Sequence, residues 1–491
     1  MRLPELRDIS RQAGSTFGAY IAHVATPTIR LGVTGLSQAG KTVFITALVR
    51  NLTEGGRLPF FSAMAERRIK AAFLEPQPDD DVPRFAYERH LEALASSPPD
   101  WPRSTTRISQ LRVTLDVDPQ STWASLVGIR KLHLDLIDYP GEWLLDLALM
   151  EQTYADWCRN ILTRARRYDH AAVAAPLLDH IAGLDPQAPY DEPAVQRLAE
   201  LFRTYLVAAR QLPPGLATLG PGRFLMPGDL ENSPLLTFGP LDLESAGASE
   251  TGQRGALGTE MARRFESYKL KVVQPFFSKH FARIDRQIVL VDALSALNGG
   301  RDTLTDLREA IEAALRAYRP GSNSWLTRLI GRRRIDRILF AATKADHLPQ
   351  TSHDRLSDIL ALLTSQAMAH ATDEGADIDV LALAALRATR ETHATVDGED
   401  LACIRGVPMP GERIGDECFD GEREAAIFPG DLPEDAAAAL AAAEDNAFSG
   451  VHFVRFRPPS LTGSSSELDH RPWPHIRLDR ALEFLLGDRL P

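Results

Sequence analysis

A chain of 491 residues with 44% hydrophobic and 25% charged positions has the composition of a soluble globular protein, long enough for roughly two to four domains. Its net charge of −11 argues against a specific nucleic-acid partner. No apolar run approaches the roughly 20 residues that cross a bilayer, no signal-peptide core follows Met1, and the cysteines (Cys158, Cys403, Cys418) lack metal-ligand spacing, so a reducing, cytoplasmic setting is expected.

Residues 1–27 are expected to be an N-terminal helical extension. Thr28-Ile-Arg-Leu-Gly-Val-Thr34 then reads as a buried strand, and Val43 to Leu52 is apolar at helical spacing. Between them stands Gly35-Leu-Ser-Gln-Ala-Gly40-Lys41-Thr42, a complete G-x-x-x-x-G-K-[ST] phosphate loop between the strand and the helix it requires. The loop backbone through Ser37, Gln38, Ala39 and Gly40 to Val43 would turn N–H groups toward phosphate oxygens, with the helix dipole adding positive charge. Lys41 would reach the β/γ-phosphates and the Thr42 hydroxyl would ligate Mg²⁺.

A nucleotide switch also needs a threonine just before the second sheet strand, to bind Mg²⁺ and sense the γ-phosphate. Thr105 and Thr106 both lie there, after the irregular Ser97-Pro-Pro99 and Pro102, and the sequence leaves the choice between them open. Arg103 precedes Thr106 by three residues, where a built-in catalytic arginine could stand; a solvated loop arginine is the simpler reading.

Ile108 to Val117 alternates like a half-exposed strand and should pair as a hairpin with Lys131 to Asp138. At the end of that second strand Asp138 would hold Mg²⁺ through water, and Gly141 of Asp138-Tyr-Pro-Gly141 would present a backbone N–H to the γ-phosphate. Glu142 takes the place of a water-orienting side chain. Its carboxylate can accept a proton but repels the γ-phosphate, which predicts slow turnover; equally, it can be a first-turn acid that interacts with a helix dipole.

Residues 143–285 read as a mainly helical insertion, with apolar stripes along Trp143–Cys158 and Ala194–Val207 and a long loop over 220–255. Its entry directly after Glu142 suggests that nucleotide state could tilt it. Arg286 to Asp292 is a continuous apolar strand, followed by an amphipathic helix from Thr303 to Arg316. Trp325 to Arg334 mixes bulky apolar and basic residues. It reads as a solvated loop, and the alternative, for it as for Arg11–Ala22, is weak peripheral contact with an anionic bilayer at the inner membrane.

Arg337 to Asp346 is a strand ending in Thr343-Lys344-Ala-Asp346, similar to the guanine-recognition [NT]-K-x-D motif. Asp346 can accept from the guanine N1–H and exocyclic amine, a donor pair adenine lacks, while the Lys344 stem lies along the base. The chain has only seven lysines, and two of them, Lys41 and Lys344, fall where this chemistry needs them. A helix over Asp354–Ser365 and a strand from Ile378 to Leu386 follow, the strand's end at Ala385 and Leu386 supplying backbone to the base. Residues 389–491 hold turn-rich β pieces including Val451–Arg457, a helix or spacer from Asp435, and a closing helix from Leu478 to Leu486.

Leu31 to Thr46, Ile137 to Trp143, Trp101-Pro-Arg-Ser-Thr-Thr106 and Gln274-Pro-Phe-Phe277 together resemble the YcjX-like, stress-associated bacterial P-loop GTPases. The resemblance implies a guanine-nucleotide domain with large insertions and a link to the stress response, with no defined effector. The expectation is an α/β fold: a mostly parallel GTPase-type sheet built from 28–142 and 286–388, flanked by helices, with the helical insertion and a small β-rich C-terminal insertion. The expected ligands are GTP or GDP and Mg²⁺, and the expected activity is slow GTP hydrolysis. The alternatives are a nucleotide-dependent scaffold that scarcely turns over, or an ATPase.

Overall fold

The structure, a computed structural model, describes residues 26–35, 38–103, 107–118, 130–167, 170–211, 220–244, 253–316, 335–373, 375–396, 399–445, 453–461 and 472–490. The expected N-terminal extension, Ser37, Thr105, Thr106 and the basic stretch Trp325 to Arg334 lie outside these residues.

Seven strands form one sheet: β1 (Thr28–Gly35), β2 (Ile69–Glu75), β3 (Ser109–Val117), β4 (Lys131–Asp138), β5 (Arg286–Val291), β6 (Arg337–Ala342) and β7 (Asp377–Ala382). Their spatial order is β2-β3-β4-β1-β5-β6-β7. From β4 to β7 all neighbours are parallel, whereas β3 pairs antiparallel with both β4 and β2. The fold is thus α/β with a mostly parallel sheet, and the expected hairpin forms one side of it. The central strands β1 and β5 are largely buried, and their apolar positions, Leu31 and Val33 in β1 and Ile288 to Val291 in β5, follow from burial on both faces. In the hairpin, Arg112 stands opposite Asp135, and the guanidinium donates to both carboxylate oxygens at 2.6 and 2.8 Å, a charge pair that pins the register.

One face of the sheet is covered by α1 (Lys41–Thr53) and the closing helix at Leu478–Leu486, whose Leu478, Leu482 and Leu485 join Leu31, Val33 and Leu134 in one core. The other face is covered by helices at Ala293–Asn298, Gly300–Arg316 and His353–Asp373, packed on Val289, Phe340 and Ala342. The chain builds to one side of β1 with β2–β4 and to the other with β5–β7. A crevice therefore opens at the carboxyl end of β1, where such sheets bind ligands.

Between β4 and β5 the chain is helical, with α2 (Tyr154–Ala165), α3 (Ala171–Ala182), α4 (Glu192–Gln211) and α5 (Leu257–Tyr268). Trp157 stacks on Phe265 at 5.2 Å and meets Phe202 edge-on at 5.5 Å inside a large aromatic core. The apolar stripe at Trp143–Cys158 is not one helix. A short helix at Glu142–Leu145 runs into a 3₁₀ segment at Asp146–Glu151 and stops, because Gln152 is extended and Thr153 caps a new helix through the Asp156 N–H. The span read as a long loop contains short turns at Gly222–Leu225, Gly228–Leu230 and Pro234–Leu236.

After β7, strands β8 (Arg390–Val396), β9 (Glu399–Gly406) and β12 (Ala425–Ile427) make a small antiparallel sheet in the order β12-β9-β8, and β10 (Arg413–Ile414) pairs with β11 (Glu417–Cys418). Of the stretch expected as a strand at Val451–Arg457, the described residues 453–457 make one bridge, Phe456 to Pro408, rather than a strand, since Pro408, Pro410 and Pro458 cannot donate to a ladder. Among the described residues no helix is long and apolar enough to cross a membrane.

Candidate functional site

The turn from β1 into α1 is shaped by Gly40, whose φ of +84° is a left-handed conformation that a side chain would strain. The Gly40 carbonyl accepts the first helical bond, from the Phe44 N–H at 2.8 Å, and Lys41 and Thr42 are the first two helical residues. The Lys41 ammonium arches back over the loop and donates to the Gly35 carbonyl at 2.5 Å. It therefore stands at the mouth of the crevice, beside the helix N-terminus, where an anion gains most from both.

A cavity of about 300 Å³ opens there. The phosphate-loop residues Gln38, Ala39, Gly40, Lys41, Thr42 and Val43 line it, together with Glu142. So do Thr343, Lys344, Asp346, Ala385 and Leu386. Residues more than 300 positions apart in the sequence thus face the same space. Gly35 and Gly141 line a neighbouring cavity of about 190 Å³, which shares Gln38 and Ala39 with the first. Asp138 ends β4 directly beside Val33 of β1, at the carboxyl edge of the sheet. Arg103 is exposed.

Lys344 takes a left-handed conformation, φ +61°, that lifts its side chain off the strand. Its ammonium pairs with Asp292 at 2.5 Å. Burial pushes the Asp292 carboxyl up, but the Lys344 charge and the Ser295 hydroxyl and backbone bonds outweigh it and hold the group below the usual carboxylate range. Thr343 is tied down differently: its N–H and hydroxyl both donate to the Val291 carbonyl. One oxygen of Asp346 accepts from the Ala388 N–H at 2.7 Å, and the Asp346 carbonyl accepts from the Thr389 hydroxyl, so the start of the small β sheet orients this carboxylate. Burial pushes the neighbouring His347 imidazole down despite the Asp346 charge, which keeps the ring neutral.

Sequence reading missed several side chains in this cavity. Met409, Arg455 and Phe456 from the C-terminal segment line it, as do Trp101 and Met226. Phe456 meets His347 edge-on at 5.2 Å, and the Trp101 indole donates to the Phe456 carbonyl at 2.7 Å. Arg210 at the end of α4 pairs with Glu142 at 2.5 Å. Asp292 carried a local signal, an acid ending an apolar strand. Nothing local marked Met409 or Phe456, which reach the pocket only through tertiary folding.

Residues 29–490 match the YcjX-like family, DUF463. The chain is 37% identical over 474 residues to the Ras-like GTPase YcjX of Escherichia coli K12, covering 94% of this chain and 96% of that protein. It is 34% identical over 481 residues to the Ras-like GTPase YcjX of Shewanella oneidensis MR-1, covering 94% of each. With the phosphate loop, the Asp138–Glu142 turn and the Thr343–Asp346 turn all inside the matched span, the chain belongs to the YcjX-like family.

Proposed function

We propose that the protein is a Mg²⁺-dependent guanine-nucleotide switch that hydrolyses GTP to GDP slowly, in a stress-related role. One observation carries this reading: the loop bearing Lys41 and Thr42 and the turn bearing Lys344 and Asp346 line one cavity. The name Ras-like GTPase borne by both relatives supports it. In this reading Lys41 and the loop N–H groups bind the phosphates, Gly141 senses the γ-phosphate, Asp346 accepts from the base, and the backbone at Ala385 and Leu386 closes over it. Thr42, Asp138 and one of Thr105 or Thr106 would offer the oxygen donors that Mg²⁺ prefers. Bound there, Mg²⁺ would supply positive charge to offset the negative charge that develops on the phosphates during hydrolysis. We assign the nucleotide domain to 28–142 and 286–388, with an N-terminal extension at 1–27, a mainly helical insertion at 143–285, and a β-rich insertion and closing helix at 389–491. The state of the switch would be read by a protein effector, in the cytoplasm or at the inner-membrane surface.

The test is equilibrium binding of labelled GTP, GDP and ATP with Mg²⁺ to wild type and Asp346→Asn, with phosphate release followed in the same samples. Guanine-selective binding lost in the variant is expected. Equal ATP binding, indifferent to Asp346, would move the protein to the ATPase alternative. A second reading, a nucleotide-dependent scaffold with negligible turnover, is favoured by the carboxylate at Glu142, and faster release by Glu142→Gln would support it.

A further inference from the structure

Glu142 presents a contradiction within the nucleotide reading. It lines the same cavity as the loop residues Gln38 to Val43 and its side chain is only 3% exposed, so its charge is screened less by water than a surface acid's would be. A bare carboxylate there opposes the most negative part of a nucleoside triphosphate. The helical insertion supplies the answer in Arg210, whose guanidinium donates to Glu142 at 2.5 Å from 68 positions along the chain.

Arg210 is held for this contact. It occupies the last turn of α4, where a cation is favoured by the helix dipole. The chain returns to the same place at Gly222, whose backbone lies so close that an added Cβ would sit 2.2 Å from the Glu142 carbonyl oxygen. The Gly222 N–H donates to Asp146 at 2.5 Å, and the Arg223 guanidinium stacks 3.2 Å above the Trp143 ring. The turn after Gly141 is therefore gripped by the insertion at successive residues, and a side chain from α4 cancels its one charge at the cavity wall.

We propose that Arg210 is a positioning residue that neutralises Glu142, and that this pairing is what lets the pocket accept a γ-phosphate. The proposal rests on the nucleotide reading above. A nucleoside diphosphate carries no group at the γ position, so loss of Arg210 must fall on the triphosphate more than on the diphosphate. A merely structural arginine would affect both equally.

The experiment is titration of the full chain with Mg²⁺ and labelled GDP or slowly hydrolysed GTPγS, for wild type, Arg210→Ala, Arg210→Lys and Glu142→Gln/Arg210→Ala. Arg210→Ala should weaken GTPγS about tenfold more than GDP, equivalent to about 1.4 kcal/mol. Removing the carboxylate as well should bring the triphosphate-to-diphosphate ratio back to within about threefold of wild type, and Arg210→Lys should keep it there. Thermal melts report folding, and Arg210→Met, which keeps an apolar stem, replaces the alanine variant if that one does not fold. A ratio unchanged by Arg210→Ala, or altered but not restored by the second substitution, overturns the proposal. Parallel titrations with ADP and ATPγS separate the two claims: lack of guanine preference in wild type defeats the guanine reading, while the triphosphate-to-diphosphate ratio still decides on Arg210.

Discussion

The indole N–H of Trp101 donates to the backbone carbonyl of Phe456 at 2.7 Å, joining positions 355 apart. Trp101 precedes Thr105 and Thr106 in sequence, Phe456 belongs to the C-terminal β-rich segment, and the bond joins two residues that line the same cavity. Trp101→Phe keeps the aromatic body and deletes the donor, a change that typically costs about 1 kcal/mol. GDP and GTP should then weaken by a common factor of about three to ten. Fluorescence titration checks this, and unaltered affinities for both would separate the bond from the pocket.

Asp292 has two separable roles. Its carboxylate pairs with Lys344 and also accepts from the Ser295 N–H at 3.1 Å, capping the helix that follows β5. Asp292→Asn keeps a capping acceptor but removes the charge, so nucleotide affinity should drop about tenfold with little change in Tm. Asp292→Ala should show the same affinity loss and lose about 1 kcal/mol of stability besides. Calorimetric binding and thermal melts on both variants check the division. Equal affinity in Asp292→Asn and wild type would mean that Lys344 needs no such partner.

The Arg112–Asp135 pair inside the hairpin predicts a large asymmetry. Asp135 is fully buried, and the Arg112 guanidinium is pulled above its ordinary value by the Asp135 hydrogen bond against the cost of burial. Asp135→Ala strands that cation in the sheet and should cost about 3–5 kcal/mol. Replacing both residues by leucine removes the stranded charge and should recover at least half of the loss. Urea denaturation measures both, and a single variant as stable as the double would show that water reaches Arg112.

The phosphate loop, the Asp138–Gly141 turn and the Thr343–Asp346 turn are legible in sequence because each is local. A handful of adjacent residues sets backbone conformation and chemistry together, as Gly40 does with its positive φ. Several strands were legible for the same reason: β1 is rich in β-branched residues, β5 carries the apolar run Ile288 to Val291, and the β3–β4 hairpin alternates. The edge strand β2 was not, since its burial is only partial and its residues take their meaning from β3. Arg210, Met409 and Phe456 were invisible because each is an ordinary surface or core residue until the fold carries it to the cavity. The break in the helix after Trp143 was hidden likewise, for Asp146 is engaged by Gly222 and Tyr268, which lie 76 and 122 positions away.

That engagement of Asp146 makes the region sensitive to pH. The Tyr268 hydroxyl and the Gly222 N–H each donate to the Asp146 carboxyl at 2.5 Å, and Arg223 lies nearby, but burial is the larger influence and the group is pushed up to about 6. A carboxyl whose folded value exceeds its unfolded one holds its proton more tightly in the folded protein. Its contribution to stability is therefore full below the ordinary 3.8 and disappears as pH rises through about 6. The displacement corresponds to about 3 kcal/mol. Carboxylates held below their ordinary values, Asp292 among them, lose stability as pH falls, the opposite sign, so the informative quantity is a difference. The stability of wild type minus that of Asp146→Asn, from urea denaturation at a series of pH values, should fall by about 3 kcal/mol between roughly pH 3.5 and pH 7. A difference that stays level or rises would mean that the two donors and Arg223 keep Asp146 ionised throughout, and that the turn beneath Glu142 is fastened by charge rather than by a shared proton.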